Sequence, residues 1–125
     1  MYAERHIVTA VTAADGSVIA YSPVLTGRIS AIHYVKASAG SYADTVDFAI
    51  TAEATGEGLW TEANVTATKT VAPRQAVHTI AGVAAVLASG GEAVRDKIAL
   101  AQDRVKISIA NGGDTKTGTF HVVME

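Results

Sequence analysis

The chain of 125 residues has no cysteine. That excludes a disulfide framework, a zinc–thiolate site and thiol catalysis together. Aromatic residues make up 6% of the sequence against 49% apolar residues overall, so the apolar content is mostly Ala, Val and Ile. Ten Lys and Arg face twelve Asp and Glu, for a net charge of −2. The basic residues are scattered and do not alternate with stacking aromatics, so phosphate-neutralising nucleic-acid binding is not expected. The longest apolar run, "IAGVAAVLA" at 80 to 88, falls well short of the roughly 20 residues that cross a bilayer, so no membrane span is expected. The opening "MYAERHIVTAV" carries charges where a signal peptide needs its apolar stretch, and no secretory route is predicted.

A nucleotide cradle is also missing. The loop "GGDTKTG" has the composition of one, and Gly113 and Gly118 have the spacing of a P-loop, but Thr119-Phe120 follow where Lys-Ser/Thr is needed. Its flanks read as strands, with Val105, Ile107 and Ile109 alternating before it and "TGTFHVVM" after it, so no helix N-terminus is available. Asn111, Gly112 and Gly113 tolerate positive φ, and the segment reads as the turn of a closing β-hairpin.

What is present is a series of short β signals separated by turns. "HIVTAVTA" is followed by the Asp15-Gly16 reversal and "VIAYSPV". "GRISAIHYVKA" alternates, with Ile29, Ala31, His33 and Val35 on one face. "TVDFAITAEATG" places Val46, Phe48 and Ile50 inward and Asp47 and Thr51 outward. "LWTEANVTATKTVAP" is a strand or a broken pair stopped by Pro73. "HTIAGVAAVLASGG" fits no period well; it is expected to be mostly non-helical, with at most one helical turn. "DKIALAQDRVKISIA" contains two strands about 101 to 103. Seven to nine strands without amphipathic helices predict one all-β domain over 1–125, an antiparallel β-sandwich of jelly-roll or Ig-like type. Residues 1–6 are a candidate N-terminal arm.

Candidate chemistry is sparse, and no enzyme activity, cofactor or metal is expected. His6, His33, His78 and His121 show no paired metal spacing, although His6 and His121 become neighbours if the first and last strands pair. Asp44 and Asp47 are the closest carboxylate pair; within a strand they fall on opposite faces, and a turn cap plus a solvated residue is the plainer reading than calcium. No serine sits in a nucleophile elbow. The interface candidates are Tyr2 and Arg5 in the arm, the single Trp60, and Arg74 in the proline-pinned "APRQAVH". Trp60 reads first as core, and Arg74 reads first as a solvated loop residue. The excess of small apolar residues points to burial between subunits.

The segments "YSPVLTGRISAIHYVKA", "DTVDFAITAEATGEGLWTE", "APRQAVH" and "SGGEAVRDKIALAQDRVKISIANGGDTKTGTFHVV" together resemble small virion proteins of tailed bacteriophages, of the capsid cement or decoration type. The likeness runs from about residue 5 to the end. It implies a β-rich homo-oligomer, commonly a trimer, that binds the major capsid protein on the outer capsid surface and stabilises the head. It transfers no catalytic residue. Two alternatives remain open: a carbohydrate-binding sandwich using Trp60, Tyr34 or Tyr42 as a stacking platform, and a tail or head-tail connector subunit.

Overall fold

The computed structural model describes residues 3–86 and 95–125. The described residues form ten strands: β1 (Glu4–Val11), β2 (Val18–Tyr21), β3 (Leu25–Lys36), β4 (Asp47–Ala52), β5 (Gly58–Glu62), β6 (Lys69–Val71), β7 (Arg74–Ala76), β8 (Arg95–Asp103), β9 (Val105–Ala110) and β10 (Thr117–Met124). Among the described residues there is no helix. The chain is all-β and antiparallel, as expected, with ten strands where seven to nine were predicted. The excess lies in β6 and β7, which span three residues each and are too short to show a period in sequence.

The larger sheet runs β1-β10-β3-β8-β7, with β6 also pairing β3, and the smaller runs β2-β9-β4-β5. Their inner faces meet in one core. Phe48 of β4 lies edge-on to Tyr34 of β3 at 4.9 Å and to Phe120 of β10 at 5.1 Å, so rings from both sheets interlock. Strand β4 follows its sequence pattern: Phe48, Ile50 and the preceding Val46 are buried, while Asp47 and Thr51 are part-exposed.

Strand β3 departs from simple alternation. Val123 stands opposite Ala31 and Met124 opposite Ile29, leaving Ser30 as an extra residue in a β-bulge. The bulge shifts the period by one, so Ile29 enters the core and the next core residues are Ile32 and Tyr34. The face expected to carry Ile29, Ala31, His33 and Val35 together is therefore split. Ala31, His33 and Val35 belong to the outer face.

The closing hairpin is also corrected. Strands β9 and β10 lie in different sheets, so residues 111 to 116 carry the chain across the sandwich. Alternation alone cannot separate two strands paired side by side from two strands facing each other across a core, because both bury every second residue. The β1–β2 connection crosses in the same way, and the two crossings lock together. Thr12, 3% exposed, donates from Oγ1 to the Gly113 carbonyl at 2.6 Å and accepts from the Lys116 amide at 2.8 Å. The Gly112 amide donates to the Gly16 carbonyl at 2.9 Å. Gly16 has φ +82, and a Cβ there would lie 2.9 Å from the Gly113 nitrogen, so this contact requires glycine.

Candidate functional site

Strand β7 ends at Ala76, and the chain then forms a short reversal that leaves its apolar side chains in solvent. The Gly82 amide donates to the Thr79 carbonyl at 2.9 Å and the Thr79 amide to the Val83 carbonyl at 2.7 Å, closing a tight turn over 79 to 82. Gly82 supplies the positive φ of +80. An antiparallel bridge joins His78 to Ala84, and the Ala85 amide donates to the Val77 carbonyl at 2.6 Å. The reversal thus closes on its own backbone. Its side chains do not find a core: Ile80 is 109% exposed and Val83 63%, with Val77 and Val86 also exposed.

This apolar arm is the part of "HTIAGVAAVLASGG" that the described residues include, and it is non-helical, as expected. Sequence reading did not single it out as a site. Its signal was apolar composition without a period, which is what a segment lacking an intramolecular partner produces.

The sequence-derived interface residues are not brought together. Tyr2 lies outside the described residues. Arg5 is not in an arm, because the chain from Glu4 onward pairs with β10, Arg5 standing opposite Val123. The apolar partners Val8 and Ala10 on the same strand carry this segment into the sheet. Trp60 is core: it is 7% exposed, meets Phe48 edge-on at 5.3 Å, and its Nε1 donates to Glu62 at 3.3 Å. Arg74 is exposed, but its Nη1 donates to the Ser30 carbonyl at 3.2 Å and so holds the bulge of β3.

The rings named for a sugar platform are likewise interior, with Tyr34 1% and Tyr42 3% exposed. Tyr42 stacks on Tyr34 at 6.1 Å and donates its hydroxyl to the Ala10 carbonyl at 2.6 Å. Burial, reinforced by Tyr34, pushes its ionisation well above the ordinary phenol range. An exposed ring does occur at Tyr21, 41% exposed, where the Arg104 guanidinium lies over it at 4.1 Å.

Asp47 accepts from the Asn64 amide at 3.2 Å and from Asn111 Nδ2 at 2.8 Å, tying two loops as a cap. Asp44 points into solvent, 4.0 Å from Lys36. Among the described residues no group of three His, Asp or Glu side chains converges on a metal position. His6 and His121 do lie on paired strands, but His6 is opposite Val122, which puts the two rings on opposite faces of the sheet. The cross-strand partner of His121 is His33.

No protein-family model matches the chain, and no curated protein matches it. Among solved structures it is similar to one described as "Crystal Structure of FLHE", with 9% identity and a TM-score of 0.47 over 98% of this chain and 97% of that one. A likeness at that level carries no argument about function.

Proposed function

We propose that this protein is a non-enzymatic structural subunit of a phage virion, a cement or decoration protein that binds the outer capsid surface as a homo-oligomer. The observation that carries this reading is the exposed apolar arm of residues 77 to 86. Fully burying a Val or Ile side chain stabilises by about 1.5–3 kcal/mol, so the four, of which only Ile80 is fully exposed, supply gross stabilisation of no more than roughly 6–12 kcal/mol. Association itself costs about 4–15 kcal/mol. A single arm contact is close to break-even, and reciprocal contacts in a closed oligomer tip the balance. Attachment to a shell then gains from many copies, each with a modest contact. The resemblance of the sequence to cement proteins supplies the partner, the major capsid protein, and favours a trimer.

The test is the solution mass by light scattering for the natural chain and for Ile80→Asp, followed by sedimentation with bare capsids. A trimer that Ile80→Asp converts to a folded monomer, with loss of capsid binding, is the expected result. A monomer that does not bind capsids overturns the proposal, and a ring of six or twelve moves it to the connector reading.

A further inference from the structure

The outer face of the larger sheet carries a shallow groove of about 330 Å³ lined by Arg5, His33, Val35, His121 and Val123. It is assembled from three strands whose registers fix its geometry. His33 of β3 and His121 of β10 are direct cross-strand partners, so their Cβ atoms stand about 4.5–5.5 Å apart on one face. Arg5 of β1 is opposite Val123, the next same-face position along β10 from His121. The His33 ring is held by its Nδ1, 2.7 Å from Thr70 Oγ1 on β6. That contact leaves Nε2 free.

The groove's own titratable groups are all basic, and the carboxylate at the next alternate position after Val123, Glu125, is engaged by Lys97. Arg5, His33 and His121 are the titratable groups of the groove, and β6 adds the Thr70 hydroxyl without charge. Glu4 and His6 belong to the opposite face of β1, as alternation requires. Among the described residues no carboxylate forms an ion pair with Arg5. A second groove on this molecule gives the contrast: it is lined by Arg28, Asp96, Lys97 and Glu125, and its charges pair internally, Arg28 with Asp96 and Lys97 with Glu125. The first groove, unlike this one, gathers basic side chains without a carboxylate in its lining.

The geometry points to a binding site for a small oxyanion, a carboxylate or a phosphate, in the groove of Arg5, His33 and His121. The guanidinium offers a fork of N–H donors that matches two oxygens of such a group. Each imidazole adds a donor, and both rings become donors at every nitrogen once protonated. Val35 and Val123 form apolar walls, which strengthen those charge-assisted bonds by excluding water. A bound anion favours the protonated, doubly donating form of each imidazole, so binding tightens as pH falls. The metal alternative is disfavoured by the guanidinium, which repels a cation from the two rings.

The experiment follows the ring resonances of all four histidines by NMR while acetate and inorganic phosphate are added separately, at about pH 8 and about pH 5.5. His33 and His121 are expected to shift saturably, with binding tighter at the lower pH by up to about tenfold for each ring whose proton affinity rises tenfold on binding. His6 and His78 serve as internal references and stay in place. Arg5→Ala abolishes the saturable response at an unchanged thermal midpoint, and Arg5→Lys restores part of it. Saturation by acetate at the lower concentration assigns a carboxylate ligand, and by phosphate a phosphate. Equal shifts of all four rings, a response indifferent to Arg5→Ala, or saturation of the same two rings by zinc that Arg5→Ala strengthens would each overturn the assignment.

Discussion

Replacing Tyr42 with phenylalanine removes one hydroxyl from the centre of the molecule and changes how stability depends on pH. Tyr42 is 3% exposed and its hydroxyl donates to the Ala10 carbonyl at 2.6 Å, joining the segment before β4 to β1. Losing a hydrogen bond of this kind costs about 1 kcal/mol at neutral pH. The ring itself and its stacking on Tyr34 are kept.

At alkaline pH a second effect enters with the opposite sign. Burial, and then the neighbouring Tyr34, hold Tyr42 protonated far above the ordinary phenol range, and burial raises Tyr34 as well. In the unfolded chain both phenols ionise near pH 10. Above that pH the unfolded state binds fewer protons than the native state, so stability falls as pH rises. The contribution is fully present below about pH 10 and is lost progressively above it, by roughly 1.4 kcal/mol for Tyr42 at pH 11. The phenylalanine ring of the variant cannot ionise, so the variant escapes one such loss. Its deficit of about 1 kcal/mol at pH 7 closes, and the two proteins become equal within error at pH 11 or the variant becomes slightly the more stable. Urea unfolding followed by the fluorescence of Trp60 at both pH values measures this. A deficit of the same size at pH 7 and pH 11 would refute the account of Tyr42.

Gly118→Ala places a Cβ 2.5 Å from Tyr42 Cε2 and 2.9 Å from Tyr34 Cε1; overpacking of two buried rings costs about 1–3 kcal/mol, read as a drop in thermal midpoint on the order of 4–12 °C. Asp103→Ala removes the buried Oδ1 that accepts from the Ala54 and Arg104 amides at 2.9 and 2.8 Å; a cost of about 1–3 kcal/mol is expected in denaturant unfolding, and Asp103→Asn, which keeps an acceptor, recovers most of it. Thr12→Val deletes the hydroxyl that serves both crossings; it is expected to destabilise by at least about 1 kcal/mol, with hydrogen exchange rising at the amide of Lys116.

The fold class was legible because alternation survives wherever a strand keeps one face in the core, as in β4. It failed at single residues that break the period. Ser30, extra in the bulge of β3, separates Ile29 from the Ala31, His33 and Val35 with which alternation had grouped it, and nothing in "GRISAIHYVKA" announces that insertion. The mistaken closing hairpin has a different origin, since the turn chemistry of Asn111 and Gly113, with φ values of +58 and +87, was read correctly. What the turn residues do not encode is whether the chain returns beside itself or across the core. The histidine groove was illegible for a related reason: His33 and His121 are 88 positions apart in the chain, and only the β3–β10 register brings them opposite each other. Trp60 was correctly read first as core, because a large ring at a strand start beside Leu59 has more apolar area than an exposed strand can leave in water.

The arm presents the reverse situation. Periodicity in a sequence records burial within the same chain, so a segment whose apolar residues find no partner there has no reason to keep a period. "IAGVAAV" is apolar enough for a core, yet Ile80 and Val83 lie in solvent and the backbone closes on itself through His78 and Ala84. Strand β7, from which the arm emerges, is the outermost strand on its side of the larger sheet among the described residues. The arm therefore leaves the domain at an edge, where unpaired backbone groups already make a second chain welcome. An apolar stretch without internal period, closed by its own bridge and following an edge strand of the described sheet, is the surface that the proposed assembly would use, and Ile80→Asp is the substitution that tests it.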